Sequence, residues 1–215
     1  MFSYRYFDVV HPCFPVIDET SFWSLRRKDP RRISPTLLCD LYAVALAYWD
    51  CSKKLRGHSR PNVQFIWNQA VLALRDDFMA PSMATIHAAL LDMLGRPIYH
   101  ITGNIVNAGR TVNLAHSQGL HRDPSKWRVT DSEKKLRTKA WWALVIHDHW
   151  YGGPIRESRY TAADLSLGPV YRMAHLRVFQ AKITMLICHR QYQAQQWPQV
   201  AASCMRQKHF LICVG

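Results

Sequence analysis

Apolar side chains recur every three to four residues along almost the whole chain, and no stretch alternates in the two-residue rhythm of strands joined by a hairpin turn. That regularity makes an all-α fold the simplest outcome. Ser34 before Pro35 reads as an N-cap with a first-turn proline. Leu38, Leu41, Tyr42, Ala45 and Trp49 then share one face, which predicts a helix over 34–50. The loop through Gly57 and Pro61 ends it, and "NVQFIWNQAVLALRDDF" carries a second helix to about Phe78. Pro81 opens a third, whose stripe of Met83, Ile86, His87, Leu90, Leu91 and Leu94 closes at Gly95, where a left-handed residue costs least. A fourth runs from Tyr99 to Ser117 with Ile101, Ile105, Ala108, Val112 and Ala115 inward. The short connections imply antiparallel neighbours, so the expected architecture is a multi-helix array of antiparallel helical hairpins.

A chain of 215 residues, 48% hydrophobic and 12% aromatic, can bury one sizeable core or two small ones, which argues against disorder over most of its length. The longest apolar run, "LYAVALAYW", is about half the roughly 20 residues that cross a bilayer, so no membrane association is expected. The opening "MFSYRYFDVV" has no basic segment followed by an apolar one, and residence inside the cell is the expectation. Cysteines at 13, 39, 51, 188, 204 and 213 form no pair spaced by two or three residues. That spacing encodes neither a zinc finger nor a disulfide framework, and predicts reduced, mostly buried thiols.

A formal net charge of +13 raises the prospect of a polyanionic partner. The basic residues cluster at "RRKDPRR" (26–32), "KKLRGHSR" (53–60) and "KKLRTK" (134–139). The first two read as loops. Arg26, Arg27, Lys28, Arg31 and Arg32 could form a nuclear import patch or face phosphate; solvated loops are the commoner reason for such clusters.

Two short motifs invite a catalytic reading. "QGLHRDPSKW" (118–127) contains His121-Arg122-Asp123, the triplet that opens the catalytic loop of protein kinases. A kinase also needs a glycine-rich strand turn, a strand lysine and a D-F-G, and none occurs here. The plainer reading is a helix end. Gly119 stands at a C-cap with Leu120 folding back on it, "HRDP" is a turn, and Thr130 with Glu133 makes a T-x-x-E box that starts the next helix. The second lure is "HDHW" (147–150), which suggests a metal-dependent hydrolase. Adjacent helical side chains point about 100° apart, and the H-E-x-x-H spacing that would converge on a metal is absent. His87, with no second ligand four residues away, reads as a buried, hydrogen-bonded imidazole. Asp148 falls on the face of Trp141, Leu144 and Val145. Either it is buried and paired, with Arg110 or backbone donors as partners, or helix rotation leaves it at a solvent edge.

The segments "YFDVVHPCFPVIDETSFW" (6–23), "NAGRTVNLAHSQGLHRDPSKW" (107–127) and "KLRTKAWWALVIHDHW" (135–150), in this order and spacing, resemble the middle regulatory domain of fungal zinc-cluster transcription factors of the xylanolytic-activator type. The resemblance runs from about Tyr4 to Pro169. It implies a domain over 1–169 and a divergent helical segment over 170–215. It also implies that the aromatic start (Phe7, His11, Pro12, Phe14, Pro15) packs on the bundle. The stretch with Arg110, Ala115, Gly119, Leu120, His121, Arg122 and Asp123 would end a central helix, and Trp141, Trp142 and Asp148 would lie in the next one. None of these residues is catalytic in the resemblance, so the chain is expected not to be an enzyme.

The chain departs from the family pattern in two places. The stretch after Asp148, "HDHWYGGPIRESRYTAADLSLGP", is shortened. The binuclear zinc cluster that binds DNA is absent, so the resemblance implies zinc and DNA binding only through a missing N-terminal domain, with no cofactor in this chain. A truncated or misassembled gene product, or a divergent native terminus, would account for the apolar end "QVAASCMRQKHFLICVG". The implied setting is the nucleus. The implied partners are other transcription proteins or corepressors, a small-molecule inducer and a second copy in a homodimer. A basic helical protein that binds nucleic acid without sequence preference is the alternative function, with a helical metal-dependent hydrolase behind it.

Overall fold

The computed structural model describes residues 2–152, apart from residues 13, 50, 51, 53, 54, 56 and 96–100. Every regular element among the described residues is helical, as the periodicity requires. The expected segment 170–215 and the shortened stretch after residue 152 lie outside the described residues. A short helix α1 (Phe2–Arg5) runs straight into a π-helical turn (Tyr6–Val10). There follow α2 (Glu19–Lys28), a 3-10 turn (Pro30–Arg32), α3 (Pro35–Leu46), α4 (Val63–Asp77), α5 (Met83–Gly95), α6 (Ile101–Ser117) and α7 (Asp131–Gly152).

Side-chain caps set most of the starts. Ser34 Oγ accepts the Leu37 N–H at 3.2 Å with Pro35 in the first turn, and Asn62 Oδ1 accepts from Phe65 at 3.0 Å. Thr130 Oγ1 accepts from Glu133 at 3.2 Å, while the Glu133 carboxylate accepts from Arg137 Nε at 2.7 Å instead of reaching back. Asp18 caps α2 through Ser21 at 2.9 Å. This helix corrects the loop expected at 26–32. With Phe22 buried and three cations in a last turn that complements the helix dipole, Arg26, Arg27 and Lys28 lie on α2. Arg31 and Arg32 follow on the 3-10 turn.

The helix expected over 34–50 stops at Leu46. There the Ala47, Tyr48 and Trp49 amides each bond the carbonyl three residues back, so the chain tightens out of α-geometry with Trp49 still buried.

Helix α5 is the hub. It packs against α3, α4, α6 and α7, and every residue from Thr85 to Gly95 is buried. Helices α3 and α4 pack on each other, as do α6 and α7, and α1 lies on α3. Gly95 has a different role from the left-handed cap expected of it: among the described glycines only Gly57 and Gly119 have positive φ. Gly95 sits against the Trp67 indole, whose ring occupies the space a Cβ would need, with a Val44 methyl 3.3 Å from the same point. The requirement there is contact distance between α4 and α5.

Candidate functional site

Of the two motifs that suggested chemistry, HRDP is built into the junction of α6 and α7, and HDHW lies near the far end of α7. At the end of α6 the Leu120 N–H donates to Ala115 O at 2.9 Å and the Gly119 N–H to His116 O at 3.0 Å. With Gly119 at φ 73°, this is a Schellman cap, and Leu120 and Ala115 are both buried as its apolar contact. The cap turns the His121 ring back onto His116, stacked with centroids 4.6 Å apart, and both lie against Trp141 of α7 at 6.1 and 5.2 Å.

Asp123 goes elsewhere. Its Oδ1 accepts from the Ser125 N–H at 2.9 Å and its Oδ2 from Ser125 Oγ at 2.7 Å. These bonds hold the exposed carboxyl below its usual range, with Lys126 and Lys134 adding to the effect. Lys134 Nζ donates to Ser125 O at 3.0 Å, and the Arg137 guanidinium lies 5.3 Å from the centre of the Trp127 ring, tying the turn to the first turns of α7. The triplet therefore forms a cap followed by an Asx turn.

Farther along α7, residues 140–148 are buried on all sides. Trp141 is 2% exposed and Trp142, His147 and Asp148 not at all. The solvent-edge alternative for Asp148 is thereby overturned. His147 meets Phe14 edge-on at 5.6 Å, which places the aromatic start of the chain on this helix. Phe7 is surrounded by Phe22, Trp23 and His11 at 5.0 to 5.3 Å. The Tyr6 hydroxyl donates to Phe14 O at 3.4 Å, and burial pushes its pKa above the usual phenol range. The Arg110 guanidinium, on α6, lies 3.9 Å from the centre of the Phe78 ring. The structure thus brings His121 and Trp141 together, sends Asp123 to the surface, and puts Trp142 and Asp148 in the core.

Sequence reasoning missed a set of buried polar groups. Asn107 Nδ2 donates to Asp92 Oδ2 at 2.5 Å between α6 and α5, both residues buried. One turn away Asn104 is wholly buried, and its amide has no hydrogen-bond partner among the described residues. Asp40 on α3 is equally buried. The available signal was a single Asp in the otherwise apolar "AALLDMLG": a helix apolar all round is a buried helix, and its one carboxylate is buried with it. His87 is buried as expected, but its Nε2 has no hydrogen-bond partner among the described residues. Desolvation, with the charge of Arg137 adding to it, lowers its pKa to about 4, so it is neutral. Cys39 is half-buried, and burial beside Asp40 raises its pKa, leaving it a poor nucleophile.

A cleft of about 350 Å³ opens between the start of α2 and the first turns of α7. His11, Asp18, Glu19 and Thr20 line one wall, Ser132, Lys135 and Lys139 the other, with Ile17 and Leu136 also contributing. His11 Nε2 lies 2.9 Å from Ile17 O and its Nδ1 3.9 Å from Glu19. Asp18 is held below its usual range mainly by its bond to Ser21, with Lys139 and His11 contributing. Among the described residues no three His, Cys, Asp or Glu side chains stand close enough together to hold a metal ion. No helix among the described residues is long and apolar enough to cross a membrane.

Comparison with known proteins gives a consistent picture. The model of the fungal specific transcription factor domain matches residues 4–152. An uncharacterised transcriptional regulatory protein of Schizosaccharomyces pombe is 32% identical over 146 residues, covering 68% of this chain and 22% of that protein. The transcriptional activator protein DAL81 of Saccharomyces cerevisiae is 30% identical over 149 residues, covering 67% of this chain and 15% of that protein. Cutinase transcription factor 1 alpha of Fusarium vanettenii is 29% identical over 151 residues, 66% of this chain and 16% of that protein. The chain thus spans only 15 to 22% of the length of these relatives. No solved structure matches it.

Proposed function

This chain belongs to the fungal specific transcription factor domain family, and on that footing we propose that it is a non-enzymatic regulatory domain controlling the transcription of metabolic genes. It acts through contacts with other transcription proteins or corepressors and through a small inducer. DNA and zinc are bound by a separate zinc-cluster domain of the complete protein. The observation that carries this reading is the fate of the HRDP triplet: Asp123 commits both carboxylate oxygens to Ser125 and His121 stacks on His116. A phosphoryl-transfer base needs a free carboxylate in a cleft.

An inducer acts by binding one helix arrangement better than another, and only that difference in affinity shifts the output. The cleft between α2 and α7 has the volume of a small-molecule site, whereas Trp142 and Asp148 are sealed in the core. Arg26, Arg27, Lys28, Arg31 and Arg32 serve as the nuclear import patch; all but Arg26 are exposed. Asp148 pairs with Arg110 or with backbone donors.

The test is a fusion of this chain to a heterologous DNA-binding domain in a yeast reporter strain. The fusion is expected to change reporter output, and the change is expected to respond to metabolite supply. No change with a correctly expressed fusion would overturn the proposal. The exposed Arg27, Lys28, Arg31 and Arg32, with the net charge of +13, favour a second reading, non-specific nucleic-acid binding. Filter binding at two salt concentrations separates the two, since charge-driven binding is tight at low salt and falls steeply as salt rises.

A further inference from the structure

Helix α4 has two opposite apolar faces. Trp67, Ala70 and Leu74 face the core, while Phe65 and Leu72, seven residues apart, are 58% and 42% exposed on the other side. Met79, a further seven residues on in the turn that ends the helix, is 87% exposed. Three large apolar side chains at heptad spacing on a solvent face form a seam of the kind that helix pairs bury.

The charges flanking this seam indicate its occupant. The chain carries +13, yet residues 61–80, which hold the seam, carry one basic residue, Arg75, against Asp76 and Asp77. This is the region where a strongly basic chain can meet itself with least repulsion. Beside the stripe Arg75 and Asp76 neutralise each other at 3.0 Å, and the Gln64 amide donates to Asn68 Oδ1 at 3.0 Å.

We propose that this face is a self-association surface, on which α4 of a second copy lies antiparallel about a two-fold axis at Leu72. In that register Leu72 meets Leu72 of the second copy and Phe65 meets its Met79, a favourable ring–thioether pair. On one flank Gln69 faces Asp76 of the second copy, and on the other Asn68 faces its Arg75. Each of these charges meets an amide, and along the helix axis the two Asp76 side chains sit about eight residues apart, roughly 12 Å, and the two Arg75 about six, roughly 9 Å, at 1.5 Å per residue. A 15-residue helix is only about 22 Å long, so the contact falls below the roughly 1,200 Å² of a standard interface. The dimer is therefore weak and concentration-dependent, and gains strength when another domain holds two copies together.

Sedimentation velocity of the full chain over a range of concentrations tests this. The wild type is expected to shift from monomer to dimer as concentration rises. L72E and L72K are each expected to raise the dissociation constant at least tenfold, and an equimolar mixture of the two is expected to restore the dimer, because only the mixture places opposite charges at the axis. Far-UV circular dichroism checks the fold of each variant, and M79E, at the most exposed position, serves if either misfolds. A wild type that stays monomeric throughout, or a dimer indifferent to L72E and M79E, would overturn the proposal. So would an L72E chain whose residues 153–215 become newly sensitive to protease while the mass is unchanged, since the seam would then be covered by the chain's own C-terminal part.

Discussion

Individual residues in this protein are constrained mainly by backbone geometry and burial. Gly119 sits at φ 73°, where an L side chain is disfavoured, so Gly119→Ala is expected to destabilise the fold by about 1 kcal/mol, measured by urea denaturation. His87 makes stability depend on pH, with a sign fixed by its lowered pKa of about 4. The folded state holds this imidazole neutral, while the unfolded chain binds a proton below about pH 6.5. Its stabilisation is complete above pH 6.5 and declines as the pH falls towards 4, by up to roughly 1.4 kcal/mol per pH unit. His87→Leu is expected to flatten that part of the curve, and an unchanged slope in thermal melts between pH 4.5 and 6.5 would show that the imidazole is solvated. The buried Asp92 accepts from Asn107, and Asn107→Ala leaves a carboxylate oxygen in the core without that donor. The expected loss is about 2 kcal/mol, the cost of leaving a buried polar atom without its hydrogen-bond partner.

Helices α3 to α7, and most of their starts, are legible from local chemistry. Ser34, Asn62 and Thr130 are N-caps that each work through a bond to the residue three positions on, so four or five letters suffice to find them. The Schellman cap at Gly119 is equally local. What the pattern does not disclose depends on neighbours distant in sequence. Gly95 looks like a helix stop, but its lack of a side chain answers to Trp67 twenty-eight residues earlier. Gly95→Ala is therefore expected to cost about 1–3 kcal/mol through overpacking, and Trp67→Leu in the same chain to recover part of it. Helix α2 is hidden for a similar reason: its acidic start and basic end resemble a solvated loop until Phe22 is seen packed against Phe7. The Asp92–Asn107 pair is unreadable because no pattern in one helix names its partner in another.

Across the fold as a whole, polar residues that imitate active-site motifs serve, among the described residues, as caps, turns and buried anchors of a helical scaffold. The central helix α5 touches four others, so a change at one face of the bundle has a packed route to the rest. The most direct measurement of this claim uses the reporter fusion with two kinds of variant. His121→Phe with Asp123→Asn removes acid–base chemistry while keeping ring and turn geometry, and Gly119→Val keeps every polar group while disrupting the cap. An architectural role predicts near wild-type output from the first and loss of output, with lowered stability, from the second. Lost output from the double variant at full stability, with Gly119→Val still active, would contradict it and mean that His121 and Asp123 carry chemistry after all.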